Sequence, residues 1–219
     1  MPKIIAITFG KFNPPHIGHH ALAQGLISYA NNISVPHMIY SSRRHMKATK
    51  TPKPHKDTPL DPEKKLVHLR RAFQTDNVQL ATSPHQVIQK LIDDGHEVHL
   101  MLGSDRIEDT APGLYEKFGT EKLKIIPFGE TRSKEASGVV GASSTKMRRH
   151  AIEKNYDAFR EQLPAHMTDD HAQELFKDVR SGLGAAGEKL HEEVSAQTRL
   201  KLSRIAKRTA KIRAIKRKS

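Results

Sequence analysis

Short apolar, β-branched runs alternate along this chain with longer stretches in which apolar residues recur at helical spacing. The runs Lys3–Phe9 (KIIAITF), Ser34–Tyr40 (SVPHMIY), Val78–Thr82 (VQLAT), Glu97–Leu102 (EVHLML) and Leu123–Phe128 (LKIIPF) predict strands. Between them His19–Ala30, Asp61–Thr75, Pro84–Asp94 and Ser104–Phe118 predict helices. The start at Asp61 is well marked, because DPEKK supplies an Asp N-cap, a proline at the first helical position and an early glutamate. Strand–helix alternation of this kind predicts an α/β architecture, a parallel sheet of about five strands covered by helices. Beyond Lys154 the segments YDAFREQL and DDHAQELFKDVRSGL predict further helices packed on the sheet domain, the second stopped by Gly182 and Gly184. The expected organisation is a sheet domain over 1–155, a helical extension over 156–184 and a basic helical tail over 185–219.

Composition changes this picture little. With 36% hydrophobic residues in 219, the chain can bury one ordinary core. Cysteine is absent, which removes disulfides, thiolate metal sites and thiol nucleophiles. No apolar run approaches the roughly 20 residues that span a bilayer. The start MPKIIAITFG lacks the long apolar core of a secretory signal, so a cytoplasmic protein is expected.

Charge matters more for where it lies than for its total of +13. From Glu188 to Ser219 there are 11 lysines and arginines against 3 glutamates, so the tail carries +8 and the remainder is mildly basic. Such a tail could hold nucleic acid or another polyanion through phosphate contacts, with few aromatic residues for base stacking. A second basic stretch, Ser41–Pro59, follows the second predicted strand, where α/β sheets place ligand-facing loops. It reads either as a solvated loop or as a lid whose Arg43, Arg44 or Lys47 approaches a phosphate.

Candidate chemistry begins in FGKFNPPHIGHHAL, directly after the first predicted strand. A helix starting there presents unpaired N–H groups and a positive dipole end to the carboxyl edge of the sheet, a place that attracts anions. Gly10 and Gly18 allow close approach to the main chain, and Pro14 and Pro15 stiffen the turn. His16 and His19, three residues apart, can face one pocket and donate to a phosphoryl group as charge develops on it. A second candidate is GASSTKMRRHAIEK, where a helix beginning near Thr145 would offer N–H groups and hydroxyls to an anion, with Lys146 and Arg148 close by. A third is LMLGSDRIED, a strand ending in Gly103, Ser104 and Asp105, where Asp105 could also simply cap the next helix.

These three stretches together carry a resemblance. GKFNPPHIGH is similar to the G-x-F-x-P-x-H-x-G-H signature of the HIGH-type nucleotidyltransferase superfamily. SSTKMR is similar to its I-S-S-T-x-x-R motif, and LGSD to the GxD stretch of its adenylyltransferases. The resemblance covers roughly residues 1–155 and is nearest to nicotinamide mononucleotide adenylyltransferases, with Lys11 where that group usually has arginine; the segment 154–183 looks like the carboxyl-terminal region of the bacteriophage-encoded branch.

The resemblance implies a Rossmann-like, doubly wound sheet and transfer of AMP from ATP to a phosphate-bearing acceptor, nicotinamide mononucleotide first, giving NAD and pyrophosphate. It implies Mg²⁺ held mainly through the ATP phosphates. It assigns His16, His19 and Lys11 to the reacting phosphates. The nucleotide falls to Phe9, Gly10, Phe12, Gly18, Gly103, Asp105, Ser143, Ser144, Thr145, Lys146 and Arg148.

Other readings stay open. The acceptor could be phosphopantetheine or FMN, or the reaction a cytidylyl transfer. The R-T-x-G-I-S-T-T pattern of cytidylyl enzymes is absent, which favours ATP. Class I aminoacyl-tRNA synthetases share H-I-G-H but need a longer chain. A nucleic-acid-binding or assembly protein acting through its tail is the alternative of a different class, and an oligomer is compatible with any of these.

Overall fold

The computed structural model of the chain describes residues 3–44, 58–129 and 141–184. Its centre is β1 (Lys3–Gly10), whose alternate residues face opposite sides: Ala6 joins one apolar cluster and Ile7 the other. β1 pairs in parallel with β2 (His37–Ser42) on one side and with β4 (His96–Gly103) on the other. β3 (Val78–Ala81) and β5 (Leu123–Phe128) complete a parallel sheet of order β3-β2-β1-β4-β5. The chain therefore winds outward from β1 in both directions. The place where the winding reverses, at the carboxyl ends of β1 and β4, opens the crevice in which such sheets take ligands.

Helices cover both faces. α1 (Ile17–Asn32) and α2 (Pro62–Phe73) pack on the first, where Leu26, Ile39, Leu69 and Phe73 are buried together. α3 (Pro84–Asp93) and α4 (Ile107–Phe118) pack on the second, around Ile88, Leu100, Leu114 and Leu123. As the sequence predicts, Asp61 caps α2 by accepting from the N–H groups of Glu63 and Lys64, with Pro62 in the first turn. α5 (Ser144–Ile152) returns to the first face, followed by α6 (Tyr156–Arg160) and α7, helical over 169–184.

Some predicted boundaries move. β2 begins at His37 rather than Ser34, because Ser34 has φ +55 and turns the chain, and it runs on through Ser41 and Ser42, which the sequence places in a loop. α1 starts at Ile17 and α4 is preceded by a 3₁₀ turn, Ser104–Arg106. Gly182 does not stop the last helix, which continues through it to residue 184. The reason is tertiary: a Cβ there would stand 1.9 Å from the Pro59 carbonyl oxygen, so glycine serves a close approach inside the helix. The middle of the basic loop, with Lys47, and the tail over 185–219 lie outside the described residues. Among the described residues no helix is long and apolar enough to cross a membrane.

Residues 156–184 do not form a core of their own. Phe159, Leu163, Leu175, Val179 and Leu183 are buried in the same cluster as Ala6 and Leu60. Polar contacts reinforce the junction. Asp178 on α7 accepts from Lys64 Nζ at 2.6 Å and from Nε2 of the fully buried His68 at 2.9 Å, and Arg71 pairs with Glu174. Burial pushes the Asp178 carboxyl up, but the hydrogen bonds from Lys64 and His68 outweigh it and hold it below the usual carboxylate range. A depressed carboxylate stabilises the fold above its unfolded-state pKa and loses that contribution as pH falls through its folded value. Asp178→Ala is thus expected to cost about 2 kcal/mol at neutral pH, by removing the charged acceptor of Lys64 and of the buried His68 Nε2, and less in strong acid, where the wild-type carboxyl is neutral. Urea unfolding at the two pH values measures the difference.

Candidate active site

The loop between β1 and α1 folds back over the strand end. Gly10 has no side chain because the Phe12 ring occupies that space: a Cβ on Gly10 would lie 2.3 Å from it. Phe12 takes φ +47, an unusual conformation for a bulky residue, and its buried ring packs edge-on against Phe73 at 5.4 Å and His19 at 4.8 Å. His16 caps α1, its Nδ1 accepting the Gly18 N–H at 3.1 Å. That bond fixes the neutral tautomer, leaving the proton on Nε2 as a donor. The His16 and His19 rings stack with centroids 3.5 Å apart and 29° between planes. The pairing expected from their spacing is present, and both line one cavity of about 270 Å³.

The opposite wall comes from a stretch about 130 residues away. Ser143 caps α5 by accepting the Lys146 N–H, and Ser144 Oγ donates to the Pro14 carbonyl at 2.8 Å, joining the two motifs directly. Arg148 is 6% exposed and reaches across to donate to the Asn13 carbonyl, with its other arm on Thr145 Oγ1 at 3.1 Å. Ser143, Ser144, Thr145 and Arg148 all line the cavity. At the end of β4, Gly103 and Asp105 line it too. Asp105 does not cap α4, whose N-terminus has no side-chain cap; its carboxylate folds back so that a Cβ on Gly103 would lie 2.7 Å from Oδ1.

Of the residues singled out from sequence, Lys11, Phe9, Gly10 and Phe12 also reach the lining. Gly18 and Lys146 do not. Gly18 contributes its N–H to His16, and the Lys146 ammonium sits on the Gly141 carbonyl at 2.7 Å. Arg43 and Arg44 are exposed beyond β2, away from the lining. Spacing did not reveal Asn13, Thr8, Thr58, Leu22 or Arg106, which also line the cavity. Asn13 carried a visible cue, its place ahead of the two prolines. Its buried amide bonds both the carbonyl and the N–H of Leu60 at 3.0 Å, pairing the β1–α1 loop with the chain ahead of α2.

Among the described residues of the lining, three cations (Lys11, Arg106 and Arg148) and the N-termini of α1 and α5 face one carboxylate, Asp105. This is an anion-receptive cleft. Among the described residues no three carboxylates and histidines cluster to hold a metal by themselves. A second cavity of about 340 Å³ adjoins on the α3–α4 side and shares Phe9, Leu102 and Arg106 with the first. It adds His85, Asp109 and Thr110.

Beneath the loop lies Lys65, 1% exposed, its ammonium donating to the Ser42 carbonyl and, at 3.5 Å, to that of Lys11. Ser41 Oγ donates to the same Lys11 oxygen at 3.2 Å. Burial pushes the Lys65 pKa from 10.5 down to about 8. Between those values the unfolded chain binds a proton that the folded chain has released, so stability rises with pH across the window. The gain is about 3 kcal/mol, absent below pH ~8 where both states are charged. Comparing denaturant unfolding of wild type with Lys65→Met from pH 7 to 10.5 isolates it as the difference between the two slopes.

Fold and cavity together define an α/β protein with a doubly wound parallel sheet and an anion-receptive cleft at its switch point. No protein-family model matches the chain, and no curated protein does. Solved structures similar to it include a protein described as a nicotinate-nucleotide adenylyltransferase from Vibrio parahaemolyticus (16% identity, 79% of this chain and 98% of that one, TM-score 0.48). Another is nicotinic acid mononucleotide adenylyltransferase of Plasmodium falciparum complexed with NaAD (15%, 80% and 98%, 0.48). A third, a macrolide-efflux protein from Streptococcus pneumoniae, aligns at 18% over 74% of this chain but only 56% of its own length, with TM-score 0.48.

Proposed function

We propose that the protein is a nucleotidyltransferase that moves AMP from ATP to a phosphate-bearing acceptor, with nicotinamide mononucleotide or its acid as the first candidate. One observation carries the reading: the His16–His19 pair and the Ser143–Arg148 turn, remote in sequence, face each other across one cavity and are joined by Ser144 and Arg148. Both are the stretches in which the chain resembles HIGH-type nucleotidyltransferases. The adjoining cavity offers room for the acceptor beside the nucleotide.

In this reading an acceptor phosphate oxygen attacks the α-phosphorus of ATP. A P–O bond forms to the acceptor, the bond to the bridging oxygen breaks, and pyrophosphate leaves with the electron pair. The chain contributes position and charge. His16 donates from Nε2 to phosphate oxygens because Nδ1 is occupied by Gly18. His19 stands against it within the same lining, and the exposed Lys11 adds a cation. Thr145 and Arg148, at the N-terminus of α5, hold the departing β- and γ-phosphates. The lining fits a magnesium ion carried by the triphosphate: Asp105 is its carboxylate among the described residues and would help hold the ion, and Mg²⁺ would neutralise charge on the leaving pyrophosphate.

The test supplies ATP, Mg²⁺ and a panel of acceptors: nicotinamide and nicotinate mononucleotides, phosphopantetheine, FMN and phosphorylated alcohols, with CTP in parallel. Products are identified by mass. Formation of a dinucleotide with stoichiometric pyrophosphate supports the reading; no nucleotidyl product with any acceptor rejects it.

A further inference from the structure

The cavity has a wall that belongs to neither motif. Thr58, 4% exposed, lines it, and the next two residues tie that wall to the rest of the molecule. Leu60 is held through both its N–H and its carbonyl by the Asn13 side chain, and its own side chain is fully buried among residues that include Leu175, Val179 and Leu183 of α7. Pro59, between them, is overlaid by α7 so closely that a methyl group at Gly182 would meet its carbonyl oxygen at 1.9 Å and its Cα at 2.9 Å. These obstacles are backbone atoms, which cannot swing aside as a side chain can. The segment leading into α7 touches the site a second time. The Ile17 N–H, next to His16 at the start of α1, donates to the Gln162 carbonyl at 2.8 Å.

We propose that α7 supports the nucleotide site from outside the cavity: seated on Pro59 at Gly182, it fixes the Thr58–Leu60 wall, which makes Gly182 a positioning residue for triphosphate binding. The inference rests on the reading of the cavity as a nucleotide site. Two physical features support it. The contact has no clearance, so a displacement at Gly182 passes to Pro59 rather than being absorbed. The Asn13–Leu60 pair then passes it to the loop that holds Phe12 and His16, whose carbonyl at Asn13 also receives Arg148. A helix packed only for stability would affect melting and leave affinity alone.

Gly182→Ala is expected to weaken ATP binding at least tenfold by calorimetry with Mg²⁺ present, at a temperature where the far-UV spectrum and a cooperative melt show the variant folded. Affinity within twofold of wild type in the folded variant overturns the proposal. If the variant does not fold, wild-type amide exchange decides. ATP should slow exchange over 175–183, remote from the nucleotide, together with Leu60, and no slowing there overturns it. If wild type fails to bind ATP, the functional reading falls by itself. Exchange in the ligand-free proteins then tests the mechanical link alone: the Leu60 N–H should exchange at least tenfold faster in Gly182→Ala while β4 and β5 amides are unaltered, and an unaltered Leu60 rate rejects the link.

Discussion

Replacing His19 with alanine is expected to lower kcat for nucleotidyl transfer by roughly 10²–10³-fold, the usual cost of removing one preorganised donor to a developing oxyanion. KM for ATP should change much less. The ring lies against His16 at 3.5 Å between centroids and against the edge of Phe12, so its position is set before any ligand arrives. A contact of that kind strengthens as charge builds on the transferring phosphoryl group and adds little to ground-state binding. His19 is only partly buried, and its loss should cost about 1 kcal/mol of stability, too little to unfold a domain. Steady-state kinetics beside a thermal melt separates the two effects. Full turnover in a folded His19→Ala protein would falsify the role. His16→Ala is the less clean variant, because it also removes the α1 cap supplied by Nδ1.

Arg148→Met should act mainly on binding. The guanidinium is almost fully buried, yet lines the cavity and spans from Thr145 Oγ1 to the Asn13 carbonyl. Charge-assisted bonds of this type are worth about 1.5–3 kcal/mol, so affinity for ATP should fall by roughly 10- to 100-fold. Inorganic pyrophosphate should lose affinity in parallel, since both would be held by the same oxygens. Methionine fills the volume but leaves the Asn13 carbonyl without its donor, and urea unfolding should show a loss of about 1–3 kcal/mol. Arg148→Lys keeps the charge and forfeits the fork that bonds two partners at once, so it should recover only part of either loss. Equal affinities for pyrophosphate in wild type and Arg148→Met would place the triphosphate elsewhere.

What could be read in advance was whatever depends on neighbours in sequence. The Asp61–Pro62 cap, the apolar strands and the two cavity-lining turns each state their conformation within a few residues, because capping, strand alternation and the dipole of a helix end are local effects. Boundaries failed where a distant partner intervened. β2 runs on through Ser41 and Ser42 because both pair with β3, although their composition is that of a loop. Gly182 looked like a helix stop, as glycine near a helix end usually is, and became a contact point instead.

Adjacent residues show the same division. Lys64 and Lys65 are indistinguishable in DPEKK, but one helical step turns them about 100° apart. Lys64 projects outward to Asp178, while Lys65 is buried on the carbonyls of Ser42 and Lys11. Lys146 and Arg148 were both candidates for a phosphate, Lys146 the weaker; their places on α5 send one to the Gly141 carbonyl and the other into the cleft. By itself the sequence determined the alternation of strand and helix, and the two turns whose backbone and histidines invite an anion. Only the tertiary structure decided that those turns share one cavity, that Asn13 and Thr58 belong to its wall, and that α7 leans on it, since packing joins residues that no local rule relates.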